Sequence, residues 1–287
     1  MKNQIKTILL LGVLSALLIG IGSLMGRGWM IGLTIAAFAM NLGAYFFSDR
    51  LVLRMHNARE VGPGEAPRLQ ATVHELAMRA GIPAPKLYVI DSPEPNAFAT
   101  GRNPENGVVA VTTGITRILS ERELRGVLAH ELAHIRNRDI LVATIAAAIA
   151  GGISLITNVL QFTAIFGGSD EEEGPSPLAM LALAFVAPIA ATLIQLGVSR
   201  SREYGADLGG AEISGDPEAL ALALEKLEMA NRDAPLISSE PATASLYIVS
   251  PLSGASGIVS LFSTHPPIRE RVRRLRALAG GPEYLAA

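Results

Sequence analysis

The chain has 287 residues, of which 49% are hydrophobic and 17% charged, against about 25% charged in an ordinary globular domain. That composition excludes a disordered chain and argues against a purely soluble one. A net charge of −2 leaves no basic footprint for nucleic acid. The absence of cysteine excludes a disulfide scaffold, a thiolate metal site and a cysteine nucleophile.

The apolar excess is concentrated in residues 7–25, 28–47, 140–166 and 177–199, none of which holds a Lys, Arg, Asp or Glu. Each is near or above the ~20 residues that cross a ~30 Å hydrocarbon core as helix, so four transmembrane helices are predicted in a lipid bilayer. Lys2 and Lys6 ahead of the first run suggest a signal peptide, but no small-x-small cleavage site follows and a second run begins at once. Residues 1–47 therefore read as an uncleaved hairpin. Only Arg27 separates spans one and two, and residues 167–176 carry four acidic residues and no basic ones. The other basic residues lie before span one, between spans two and three, or after span four. The positive-inside rule then places both termini, and the segments 48–139 and 200–287, in the cytoplasm. Those segments are expected to form the two halves of one domain, with residues 140–199 inserted as a second hairpin.

Residues 67–80 carry a helical pattern that stops at Gly81 and Pro83. Residues 86–91, 96–100 and 107–113 read as short strands punctuated by Pro, Gly and Asn. Ser120 and Glu123 form a capping-box pair that opens a helix reaching toward Asn137. Asp216 and Pro217 open another helix, and Pro266 and Pro267 a last one that stops at Gly280. Residues 231–263 carry no assignable pattern. The predicted fold class is mainly α with a small β-sheet.

The chemistry lies in His130-Glu131-Leu132-Ala133-His134. A spacing of four sets both imidazoles on one helical face, where they can share one ion, and Glu131 lies about 100° round the helix, within reach of a water proton. Chance would give roughly 0.006 such matches in a chain of this composition. His74, in a near-miss where Met78 replaces the second histidine, reads as a surface residue. The extended metzincin form is excluded by Asn137 and Ile140. A catalytic zinc needs a third ligand. After span four, Glu203 and Asp207 stand four apart and could supply a ligand and a hydrogen-bond acceptor for a liganding imidazole, or could be solvated charges on a juxtamembrane helix. His265 could donate to a developing oxyanion or simply begin a helix. Asn96, Ala97, Phe98 and Ala99 could form an edge strand for substrate backbone or an ordinary strand.

In order, the chain carries PNAFATG at 95–101, HELAHIRNRD at 130–139, SRSREYGAD at 199–207 and LFSTHPP at 261–267. With the four apolar runs, this series closely resembles the HtpX family of membrane zinc metalloproteases, relatives of the eukaryotic CAAX prenyl proteases, along essentially the whole chain. The resemblance implies an α+β zincin-like domain with one zinc per chain held by His130, His134 and Glu203. It makes Glu131 the base, Asp207 the partner of a liganding histidine and His265 a transition-state donor. It further implies a metalloendopeptidase of the inner membrane that degrades misfolded or damaged membrane proteins and unfolded polypeptides under stress. Self-association, or a place in a membrane protease complex, is left open. The alternatives are a site-2-type intramembrane protease, disfavoured by the charges flanking the zinc motif, and a non-enzymatic membrane adaptor with a structural metal.

Overall fold

The computed structural model describes residues 27–141, 143–145, 200–233, 248 and 266–280, with scattered positions between 11 and 23. Helix α1 (Arg27–Met55) leads into β1 (Arg59–Glu60), α2 (Pro67–Ala80), β2 (Lys86–Ile90) and β3 (Ala97–Thr100). A 3-10 turn (Pro104–Asn106), β4 (Val108–Thr112), α3 (Thr113–Ile118) and α4 (Glu121–Arg136) follow. Beyond the undescribed stretch come α5 (Arg200–Ser214), α6 (Pro217–Asp233) and α7 (Ile268–Gly280). The result is mainly helical with a small mixed sheet, as the patterning predicts. Strand β1 and helix α3, two and six residues long, were too short to leave a periodic signal.

The sheet order is β1-β2-β4-β3, with β2 and β4 parallel and the other pairs antiparallel. Its alternation assigns each face a partner. Leu87, Val109, Val111, Ala97 and Ala99 face the main core, built with Leu76, Leu128, Leu132, Ile213, Leu224 and Leu275. Ile90, Val108, Ala110 and Phe98 face the other way, onto Val52 and Leu53 at the end of α1 and onto Ala143. Burying a side chain such as Phe98 stabilises by about 1.5–3 kcal/mol, so that second face fastens α1 and Ala143 to the sheet.

Local chemistry fixes the helix ends. Ser120 and Glu123 complete the reciprocal capping box that opens α4, and Asp216 accepts from the Ala219 N–H at 3.1 Å to cap α6. Gly81, at φ +68°, closes α2 in the left-handed conformation that glycine adopts without strain. Helix α5 runs unbroken through Gly205, although glycine is a poor helix former.

Among the described residues no helix is long and apolar enough to cross a membrane. The second expected span lies within α1, which continues past Phe47 through Asp49, Arg50 and Arg54. Expected spans one, three and four fall largely or wholly outside the described residues. On α1, Ile35 and Phe38 are 66% and 70% exposed, and Ile31, Phe46, Phe47 and Leu51 lie open as well.

Candidate metal centre

Helix α4 delivers both histidines to one point. The His130 and His134 rings lie 4.7 Å apart between centroids, nearly perpendicular, as i and i+4 side chains on one face must. Helix α5 crosses against them at a close approach that small residues permit: a Cβ on Gly210 would sit 2.9 Å from the His130 Cα and N, and one on Gly209 2.9 Å from the Ala133 Cβ. That approach carries Glu203 in. Its carboxylate oxygens lie 3.8 Å from His130 Nε2 and 3.6 Å from His134 Nε2, and the three candidate ligand atoms all fall within 4.8 Å of one another.

Outer partners hold this set. Asp207, one turn along α5, lies 3.0 Å from His130 Nδ1, and Asp139 lies 3.3 Å from His134 Nδ1. Arg271 of α7, fully buried, donates from Nε and Nη2 to the two Asp207 oxygens at 2.9 and 2.7 Å, and from Nη1 to the Ile248 carbonyl at 3.0 Å. Glu131 Oε2 accepts from the Ala99 N–H of β3 at 2.8 Å.

The strand residues divide by register. Asn96 turns its backbone to Thr112 of β4, and its side-chain carbonyl accepts from the Ile248 N–H at 3.3 Å. Phe98 buries its ring in the second face. Ala97 and Ala99 turn their backbone groups away from β4, on the side of β3 where no further strand pairs among the described residues, and both residues are buried. His265 lies outside the described residues, and His74 is exposed.

Two of these groups escape a reading of the sequence. Asp139 closes the HELAHIRNRD motif, but its side chain returns to His134 only because Arg138 takes the left-handed conformation, φ +57°. Arg271 is one of five arginines in α7, and only its burial separates it from the others.

The donor set fits a divalent cation. Two imidazoles and a carboxylate, with a further position open, are the ligands that catalytic zinc takes. Ligand atoms on a tetrahedral ion at 2.0–2.1 Å stand about 3.3 Å apart, close to the Glu203 distances above. The charges agree. Glu131, Asp139, Glu203 and Asp207 are all buried, and among the described residues the guanidiniums of Arg271 and the half-buried Arg202 oppose them, so acidic groups outnumber the arginines in the cluster. The same field acts on His134. Burial alone would lower its pKa, but Asp139, Glu203 and Glu131 push it up to about 9. Burial raises Glu131 above the usual carboxylate range against the opposing pull of the two histidines. At Asp207, Arg271 and His130 overcome burial and hold the carboxyl well below that range.

A small mixed sheet whose edge strand lies against a helix bearing two histidines, with a glutamate supplied by a second helix, is the layout of a zincin-like metalloprotease. The chain belongs to peptidase family M48, whose model matches residues 63–279, and it is a metalloprotease, a hydrolase of peptide bonds. It is 51% identical over 290 residues to the protease HtpX homolog of Ralstonia pickettii (strain 12J), with 100% of both chains covered. With that of Burkholderia mallei (strain SAVP1) it shares 52% over 284 residues, 97% of this chain and 98% of the other. The crystal structure of S. mikatae Ste24p superposes with a TM-score of 0.51 at 20% identity, covering 96% of this chain and 66% of that one, which establishes a common fold.

Proposed function

We propose that the chain is a zinc-dependent endopeptidase of the cell inner membrane, with both termini and the active site in the cytoplasm, that hydrolyses misfolded or damaged membrane proteins. The observation that carries the proposal is the convergence of His130, His134 and Glu203 beside the buried Glu131. These three would hold one zinc. When bound, zinc supplies Lewis acidity, polarising a peptide carbonyl and acidifying water.

The chain's own residues do the rest. Glu131 takes the proton of the attacking water and returns it to the leaving amine. The Ala99 N–H fixes the orientation of that carboxylate, since it already donates to Oε2. The outward Ala97 backbone groups and the Ala99 carbonyl align substrate as an added strand, which reads backbone and tolerates many sequences. Asp207, clamped by Arg271, holds the His130 ring. His265 is assigned as donor to the oxyanion, on its place in the LFSTHPP motif alone.

Membrane attachment is supported by the four uncharged runs and by the exposed apolar residues of α1. The division at 48–139 and 200–287 is supported by a core that draws residues from both segments. The site-2 alternative is disfavoured by the charged surface of α4, where Arg122 pairs with Asp216 and Arg125 with Glu75.

The test is cleavage of an unfolded membrane protein by the detergent-purified full chain. Glu131→Gln is expected to retain zinc and lose at least ~100-fold in rate, and a chelator to abolish cleavage. Cleavage that survives either treatment would overturn the assignment.

A further inference from the structure

We propose that Asp139 is a positioning residue of the metal centre, folded back by a left-handed turn at Arg138 to grip His134 by both its backbone and its ring. The proposal rests on the metal-centre reading above and adds a residue to it.

The grip follows from how α4 ends. The Asp139 N–H donates to the His134 carbonyl at 3.0 Å, and the Arg138 N–H to the Ile135 carbonyl at 3.1 Å. These two bonds make a Schellman motif, in which the residue in left-handed conformation is usually glycine. Here it is Arg138, at φ +57°. A non-glycine residue held there is strained and persists where the surroundings require it. The requirement is visible. The turn reverses the chain by the amount that sets the Asp139 carboxylate 3.3 Å from His134 Nδ1 while its own N–H holds the His134 carbonyl.

Asp139 is therefore fixed to the backbone of the residue whose ring it orients. An acceptor on the outer nitrogen selects the tautomer that leaves Nε2 free to bind metal, and makes that nitrogen more basic. Asp139 is buried, and the Arg202 guanidinium on α5, beside Glu203, lies within electrostatic reach of it, so the carboxylate is also tied to the helix that supplies the third ligand. Helix resumes at Ile140. One turn on, the Thr144 Oγ1 lies 2.9 Å from the Thr100 Oγ1 at the end of β3. The same few residues thus orient a ligand and reach the edge strand.

The experiment is zinc affinity of the purified full chain, measured by competition with a chromophoric chelator, alongside the unfolding temperature of the zinc-free protein. Asp139→Asn is expected to raise the zinc Kd ~10–100-fold and leave the zinc-free unfolding temperature in place. Arg138→Gly, which adopts the same turn without strain, should keep wild-type affinity. Wild-type affinity in Asp139→Asn would overturn the proposal, and so would a lower unfolding temperature with affinity unchanged, the mark of a purely structural residue. If the wild-type chain bound no zinc, the metal-centre reading would fall and this proposal with it, whereas failure of Asp139→Asn alone removes only the role of Asp139.

Discussion

Arg271 is a buried cation whose partners are Asp207 and the Ile248 carbonyl, with His130 Nε2 3.5 Å away. Removing one member of a buried ion pair leaves the other charged and desolvated, at a cost of about 3–5 kcal/mol. Arg271→Met is therefore expected to lose that much stability, a large part of the 5–15 kcal/mol a domain typically has. Arg271→Lys, which keeps the charge but not the two-pronged fork, should fall between. Unfolding in denaturant at neutral pH measures both. The sequence tells less here than at the histidines. Helical spacing alone places the rings of His130 and His134 side by side, because three intervening residues fix it. Arg271 finds its acid 64 positions away, a pairing that no local pattern encodes, and Asp139 depends on a backbone turn that arginine seldom makes.

At the scale of elements, the site depends on how closely α5 lies on α4. Gly210→Ala would set a methyl 2.9 Å from the His130 backbone, which cannot swing aside as a side chain would. The helices must part by a few tenths of an ångström, at about 1–3 kcal/mol, and Glu203 moves off with α5. Gly205 lies on the same helix, where a Cβ meets no described atom within 4 Å. Gly205→Ala should stabilise by about 0.5–1 kcal/mol. Unfolding midpoints and zinc affinity of the two variants check the contrast. The pair Gly209-Gly210 is plain in the sequence, yet nothing local marks it as a contact surface.

The cap of α4 gives a pH dependence. Burial of Glu123 would raise its pKa, but Lys226 on α6 and the N–H and hydroxyl of Ser120 outweigh burial and lower it. A carboxyl lowered by folding stabilises above its ordinary value near 4.5 and loses that contribution as pH falls through the lower folded value. Glu123→Gln should therefore cost about 1 kcal/mol at neutral pH and show a flatter decline of stability below pH ~4.5. Denaturant midpoints from pH 7 to pH 3 test it. An unchanged acid slope would show that the cap contributes no charge-dependent stability.

Across the whole molecule, one core takes side chains from Val73 through Ile140 and again from Ala206 through Leu275, and the centre takes its groups from β3, α4, α5 and α7. The longer elements were readable because each carries its own period or caps, whereas β1 and α3 were not. Their assembly was not, since helices far apart in sequence meet through shape and buried charge, which a one-dimensional pattern does not record. The last contributor, α7, has a consequence for how the protein is made. Ribosomes add ~5–20 residues each second, so for some seconds a growing chain owns both histidines and Glu203 while the guanidinium that steadies Asp207 is still unmade. Among the described groups of the centre, the outer support of the His130 ring is thus the last to be translated.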